Sequence, residues 1–391
     1  MFSALTPKPA DPLLAIIGLY AADTRSNKID LGVGVYRDPE GKTPVLRAVK
    51  QAEQKVLEGQ TSKSYLGLAG DVGFVERLQE LAFGASSSLR DRMFGVQTPG
   101  GSGALRLGTE LVRLSDSSCK IWLGEPSWGN HAPIFSAVGC PVASYDYFDV
   151  ASQTLNFDTM FEALSSANVG DVVLLQGCCH NPTGSDLSLP HWQQIADLCA
   201  NKGLVPFIDV AYQGLGEGLD TDLAGVNTLL NQVPEALVTI SCSKNFGLYR
   251  ERTGALFVLS ANAADKASAS SNVLALARVA YSMPPDHGAV VVRTILEDAE
   301  LTALWKSELT VMQQRVQTTR RNLVQALGSE HSYLSAQKGM FSTLNLSPET
   351  ILELRDKDAI YMALDGRINV AGVSGDEIER FAGCVLPRLS G

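Results

Sequence analysis

Hydrophobic and polar positions along this chain follow two rhythms. From about residue 94, short runs of Val, Ile and Leu alternate with amphipathic stretches. The spacing predicts helices at 104–114, 128–138 and 191–201, and buried strands at 120–123, 172–176, 204–209 and 237–240. Strands that are apolar throughout and separated by helices argue α/β, with a mostly parallel sheet covered on both faces. Ahead of them, residues 1–11 are Pro-rich and aperiodic, an extended arm, and Asp11-Pro12 caps a helix. Residues 29–36 alternate like a strand end, with Gly32 and Gly34 allowing close approach of another group. A helix over 44–57 and a glycine-broken loop over 65–70 lead into the main sheet. A long helical stretch, broken and recapped, covers 288–327, and a second α+β unit closes the chain. The organisation expected is an arm (1–11), a large domain (44–311), and a small domain built from 12–43 and 312–391.

Length agrees with this division, since 391 residues exceed one compact core. A net charge of −10 with no basic run argues against nucleic acid. The seven cysteines are scattered, giving neither a disulfide framework nor zinc-ligand spacing, so no metal is expected. They read as buried thiols in a reducing compartment. No secretory pattern opens the chain, and its apolar stretch at 13–22 falls short of a membrane span. The expected location is the cytoplasm, with no membrane partner.

Chemistry enters at the end of the 237–240 strand, where the chain reads Ser241-Cys242-Ser243-Lys244 and continues to Arg252. A lysine at the end of a buried strand loses charge on burial, which frees its amine to form an imine with an aldehyde. Ser241, Ser243 and Arg252 supply donors for one phosphate beside it. An amine and a phosphate cup together suggest pyridoxal 5′-phosphate. Two neighbouring strands also end in polar residues. Asp209 closes the 204–209 run, where a buried carboxylate needs a positive partner such as a protonated pyridine nitrogen. Tyr212 and Asn181 lie where a hydroxyl and an amide reach the cofactor's phenolic oxygen. The Gly100-Gly101-Ser102-Gly103 loop opens a helix and offers amides to a phosphate. Trp128 follows another strand end, where an indole lies against a ring, and His131 is placed to hydrogen-bond Asp209.

The strings Ser-Cys-Ser-Lys-Asn-Phe-Gly-Leu-Tyr-Arg-Glu-Arg-Thr-Gly, Cys-Cys-His-Asn-Pro-Thr-Gly, Asp-Val-Ala-Tyr-Gln-Gly, Pro-Ser-Trp-Gly-Asn-His, Leu-Gly-Val-Gly-Val-Tyr and Gly-Met-Phe-Ser occur in collinear order from arm to last strand. The chain thereby resembles the class I aspartate and aromatic amino-acid aminotransferases, closest to the aromatic enzymes. The resemblance implies a fold-type I pyridoxal-phosphate transferase, with a seven-stranded mostly parallel sheet in the large domain and a smaller α+β domain. It implies that Lys244 forms the Schiff base and then moves the proton at the substrate's α-carbon. Asp209 keeps the pyridine nitrogen protonated, Tyr212 and Asn181 bind the phenolic oxygen, and Trp128 stacks on the ring. Ser241, Ser243, Arg252, Gly101 and Ser102 hold the phosphate, with Tyr65 arriving from the partner subunit of a homodimer. Arg367 binds the α-carboxylate as a planar fork. Gly34, Trp128 and Asn181 also line the substrate, and Arg278 crosses the dimer interface to a side-chain carboxylate. Cis peptide bonds are implied at Glu125-Pro126 and Asn181-Pro182.

Departures from the aspartate-enzyme pattern cluster near Arg278: Ser64 and Met283 stand where it has Asn, and Ser102 where it has Thr. Met283 offers an apolar thioether that packs against rings. The expected reaction is ping-pong transamination of Phe, Tyr, Trp and acidic amino acids with 2-oxoglutarate, through a pyridoxamine form. An aspartate aminotransferase with mainly dicarboxylate specificity is the alternative. Two other classes compete. Gly101-x-Gly103 imitates a dinucleotide fingerprint, but Arg106 occupies its third glycine position. A non-enzymatic module on the same fold usually lacks the lysine, which is present here.

Overall fold

The computed structural model describes residues 2–7 and 12–389. The Asp11 cap expected for the first helix lies outside them; the helix itself runs Pro12–Ala22. Seven strands form the central sheet: β1 (Met93–Pro99), β2 (Ile121–Glu125), β3 (Val142–Asp146), β4 (Val172–Gln176), β5 (Val205–Val210), β6 (Ala236–Ser241) and β7 (Thr253–Leu259). Their order is β1-β7-β6-β5-β4-β2-β3. The pairings from β6 through β3 are all parallel, while β7 runs antiparallel to both β6 and β1. All residues of β6 and β7 are buried, as a sheet covered on both faces requires.

Helices α1 (Gly100–Ser115), Ala263–Ala280 and Leu189–Lys202 cover the sheet. The long stretch is two helices, His287–Glu297 and α2 (Ala299–Leu327), separated at Asp298, whose carboxylate accepts from the Glu300 and Leu301 amides. A second unit is built on the antiparallel pair β8 (Phe341–Thr343) and β9 (Arg367–Asn369). The expected strand over 29–36 shortens to Ile29–Asp30, paired parallel with Ile360–Tyr361. Side-chain bonds replace its ladder: Asn369 Nδ2 donates to the Val33 and Val35 carbonyls, both at 2.7 Å. The helix expected from 128 begins instead at His131, because Ser127 and Trp128 remain in the turn after β2. Both expected cis bonds, Glu125-Pro126 and Asn181-Pro182, are present.

The reversed course of β7 brings distant segments to one edge of the sheet. Its first residues lie at the same edge as the last residues of β6 and β1, so Arg252 arrives beside Ser241 and Gly100. The approach is close. A Cβ on Gly254 would stand 2.6 Å from the Ile240 carbonyl oxygen and 2.8 Å from the Gly100 carbonyl carbon. Gly100 itself sits at φ +71°, a conformation that favours glycine. Gly254→Ala therefore overpacks backbone against backbone, and a destabilisation of about 1–3 kcal/mol is expected. Urea unfolding should show a lower midpoint at unchanged slope; an unchanged midpoint would mean that the strand yields freely.

Candidate active site

One cavity of about 150 Å³ opens at the carboxyl edge of the sheet. Gly101, Ser102, Trp128, Asn181, Asp209, Tyr212, Ser241, Ser243, Lys244 and Arg252 all line it, drawn from five strand ends and the start of β7. In parallel sheets this edge collects chemistry because successive loops converge there.

Asp209 ends β5 as a buried carboxylate in a hydrogen-bonded frame. Its Oδ2 meets His131 Nε2 at 3.1 Å, and Ser127 Oγ holds the other ring nitrogen at 2.8 Å. Thr239 Oγ1 donates to Oδ1 at 2.8 Å. Burial pushes this carboxyl up, but the His131 bond and charge, Thr239 and Lys244 outweigh it, and the group is held below the usual carboxylate range. It remains ionised at neutral pH. The same cavity treats the amine oppositely. Burial pulls Lys244 down to about 8, with Asp209 opposing and the Arg252 and Arg367 charges assisting. Burial pushes the Tyr212 phenol up, against the Arg367 charge.

A second group of polar side chains gathers along the same cavity. Arg252 Nη1 reaches Ser243 Oγ at 3.3 Å, and the Ser243 amide reaches Ser241 Oγ at 3.3 Å. Gly101 packs on Ser241, where an added Cβ would stand 3.2 Å from that residue's Cβ. Asn181 Nδ2 donates to the Tyr212 hydroxyl at 3.3 Å. Arg367 comes in from β9: Nη2 donates to the Gly32 carbonyl at 2.9 Å and Nη1 to Asn181 Oδ1 at 3.4 Å. Its guanidinium lies 4.7 Å from the Phe341 ring centroid, and that ring meets the Gly34 backbone, where a Cβ would stand 3.0 Å away.

Two expected residues stay apart from this group. Tyr65 is 91% exposed, and Arg278 is exposed with Nη1 donating to Ser282 Oγ at 2.5 Å. Met283 lies near Tyr65, its sulfur accepting the Leu66 amide at 3.0 Å. Several residues were not anticipated. Gln176 makes paired bonds, both 2.9 Å, to the Asn181 amide and carbonyl, fixing the turn that carries Asn181. It is the lone polar residue in the β4 run, a signal available in the sequence. Thr239 carried no such signal, and Phe341 only its place in the Gly-Met-Phe-Ser string.

The donor set fits pyridoxal phosphate: a cluster of hydroxyls, amides and a guanidinium for a phosphate, an ionised carboxylate for a ring N–H, and an amine between them. A mostly parallel sheet with a buried lysine after one strand and this donor set around it defines a fold-type I pyridoxal-phosphate enzyme. The chain belongs to the aminotransferase class I and II family, whose sequence profile matches residues 26–385. It is 52% identical to a tyrosine aminotransferase of Rhizobium meliloti, over 98% of this chain and 99% of that protein. It is 44% identical to the aspartate aminotransferase of Escherichia coli, over 97% of each. Among solved structures, an aromatic-amino-acid aminotransferase from Burkholderia pseudomallei, covalently bound to pyridoxal phosphate, superposes with a TM-score of 0.97 at 37% identity, covering 100% of this chain and 99% of that one. The protein is an aminotransferase that uses pyridoxal phosphate. No helix among the described residues is long and apolar enough to cross a membrane.

The Lys244 shift predicts a pH effect on the cofactor-stripped protein. A folded pKa of about 8 against an unfolded value of 10.5 means that the unfolded chain holds more protons between these limits. Stability then rises with pH across that window, and the full penalty is present once pH falls below 8. Lys244→Met should remove this component, about 3 kcal/mol at most. Urea midpoints of both proteins from pH 7 to 10.5 measure it; parallel profiles would contradict the shift.

Proposed function

We propose that the enzyme transaminates both aromatic and acidic amino acids, with 2-oxoglutarate as acceptor. Arg367 carries this reading: a guanidinium fork hydrogen-bonded to Asn181 at the wall of the cavity, near enough to lower the Lys244 pKa by its charge, suits a substrate with an α-carboxylate and an α-amino group. When bound, pyridoxal phosphate supplies an aldehyde for the substrate's amine and a ring that draws electrons from its α-carbon. The chain's residues do the rest. Arg367 grips the α-carboxylate, with Gly34, Trp128 and Asn181 around it. Lys244 Nζ, whose pKa burial brings down to about 8, would take the α-proton and hand it to the carbon that carried the cofactor's aldehyde, and would carry a proton the other way in the second half of the cycle. Asp209, held ionised by His131 and Thr239, anchors the ring N–H. Asn181 and Tyr212 steady the phenolic oxygen, and Ser241, Ser243, Arg252, Gly101 and Ser102 hold the phosphate.

Tyr65 and Arg278 belong to this reading only if a second subunit brings them in, so we propose a homodimer with shared sites. The division into an arm (1–11), a large domain (44–311) and a small domain from 12–43 and 312–391 belongs to the same proposal. All seven cysteines are free, which supports a reducing compartment such as the cytoplasm. Complementation tests the shared site. Lys244→Ala and Arg278→Asp homodimers should each lose activity toward aspartate, and re-formed mixed dimers should regain about half of one wild-type dimer's activity, one site of two. Mixtures that stay inactive would contradict sharing.

Substrate breadth rests on Met283, whose thioether is tied to the Leu66 amide beside Tyr65 and Arg278. An apolar sulfur there accepts rings, while Arg278 still receives a second carboxylate. The relatives carry tyrosine, aromatic and aspartate names alike. The wild type should use phenylalanine and aspartate with comparable kcat/KM. Met283→Asn should move that ratio toward aspartate by roughly tenfold, the size of a few apolar contacts. A wild-type ratio far below one that the substitution leaves unchanged would favour a plain aspartate enzyme.

A further inference from the structure

Arg320 is an arginine with no exposed surface, on the buried face of α2. Every hydrogen-bond acceptor that the structure gives it is neutral. Nε and Nη2 donate to the Gly339 carbonyl at 3.2 and 2.8 Å, and Nη2 also reaches the carbonyls of Lys338 at 3.2 Å and Phe341 at 2.6 Å. Nη1 donates to the Leu334 carbonyl and to Ser342 Oγ, both at 2.8 Å. Burial lowers this guanidinium only to about 10, so it carries a full charge at neutral pH. Burying a charge this way is costly unless its donors are all engaged. A leucine would fill the helix position at lower cost. The residue therefore calls for a reason beyond packing.

Its acceptors supply one. They gather the segment from 334 into β8, so that one planar group fixes four carbonyls and a hydroxyl along it. Strand β8 pairs with β9 in a ladder only three residues long, in which Thr343 stands opposite Arg367 and Phe341 opposite Asn369. A ladder that short is marginal by itself. The Phe341 ring lies under the Arg367 guanidinium and edge-on to Tyr212, at a centroid distance of 5.8 Å. Asn369 in turn holds the carbonyls on both sides of Gly34. Arg320 thus touches no residue of the cavity, yet it pins the strand whose ring and ladder orient Arg367.

We propose that Arg320 is a positioning residue: a buried guanidinium that clamps β8 and thereby sets the Arg367 fork for the substrate α-carboxylate. The inference rests on the reading of Arg367 as the carboxylate fork. Its signature comes from a group common to every substrate. An α-carboxylate is present on aromatic, acidic and oxo-acid substrates alike, so loosening the fork weakens all of them together. Asp209 and its partners His131 and Thr239 lie on other elements and keep their hydrogen bonds.

The test uses the holoenzyme with Arg320→Lys, Arg320→Met and Ser342→Ala. Expected for Arg320→Met is a KM raised roughly tenfold for phenylalanine, aspartate and 2-oxoglutarate together, with kcat changed less than about threefold. Arg320→Lys restores the charge without the fork and recovers only part. Ser342→Ala removes one acceptor and gives a smaller shift of the same pattern. Backbone amides of 339–343 should exchange hydrogen faster in the Arg320 variants, while the visible absorbance of the bound cofactor stays as in the wild type. A purely structural residue would lower the melting temperature and leave KM at 25 °C unchanged. That result in a folded Arg320 variant, or unaltered KM in Ser342→Ala should the Arg320 variants not fold, overturns the proposal. Arg367→Lys run alongside separates the clamp from the fork. If it too leaves KM unchanged, the carboxylate reading fails; if it raises KM while Arg320 and Ser342 variants do not, only the clamp fails.

Discussion

An ionised carboxylate at the end of a buried strand is the constraint on which the rest of this site depends. Asp209 has no exposure to speak of, and an uncompensated charge there would neutralise itself by taking a proton. Compensation comes from three directions. His131 reaches it from the turn after β2, Thr239 from the neighbouring β6, and the Lys244 charge acts from beyond the strand end. These donors come from two pieces of chain, the start of the helix after β2 and the end of β6 with the residues after it, so the order of β2, β4, β5 and β6 in the sheet is what makes the carboxylate tolerable. The lysine's lowered pKa is the other half of the same balance. Burial takes its proton away more readily, and Asp209 limits how far that goes.

Topology then decides which cations share the space. A fully parallel sheet would send the chain after Lys244 into a crossover helix and away from the site. Here β7 turns back antiparallel, and Arg252 is kept one hydrogen bond from Ser243. Gly100 and Gly254 let the loop after β1 lie against that turn without side chains between them. Amide, hydroxyl and guanidinium donors from the ends of β1 and β6 and the start of β7 therefore meet at one point although they lie far apart in sequence. Small residues at two positions and one reversed strand accomplish this convergence.

How much of this the sequence revealed depends on range. Strand ends were legible because a polar residue closing a Val/Leu run has few structural reasons to be there: Asp209, Ser241 and the loop to Asn181 all follow that pattern. Helix boundaries moved by a few residues where a turn or a cap decides them: the turn after β2 delays one helix to His131, and Asp298 caps the second of the two late helices. Residues that act across the fold were not legible. Nothing adjacent to Thr239 or Arg320 distinguishes them from a core threonine or a surface arginine, and the Gly-Met-Phe-Ser string marks Phe341 without saying what its ring does. The strand expected over 29–36 failed for the same reason. Its alternation was real, but only its first residues pair with a neighbouring strand; beyond Leu31 the Val33 and Val35 carbonyls go to the Asn369 side chain. Tyr65 and Arg278 mark the limit of a single chain, since their roles need surfaces that this chain does not itself present to the cavity.

Charge in the cavity gives the arrangement its direction. Lys244, Arg252 and Arg367 are three cations facing one fixed anion, Asp209, and the two guanidiniums lower the lysine's pKa by repulsion. A phosphate beside Arg252 and a carboxylate on Arg367 each cancel one source of that repulsion. Anion binding and proton affinity at Lys244 are therefore linked: each bound anion makes the amine more basic, and by reciprocity a protonated amine holds anions more tightly. On the proposed reading of Arg367, the amine is a weaker base in the empty cavity and a stronger one when a substrate carboxylate sits on the fork. Proton-taking ability rises at the moment an α-carbon is present to give up its proton, and the cause is Coulomb repulsion relieved rather than any movement of the lysine. The strength of that coupling depends on how firmly Arg367 is held near Lys244, which makes the short β8–β9 ladder and its buried support part of the acid–base chemistry as well as of substrate recognition.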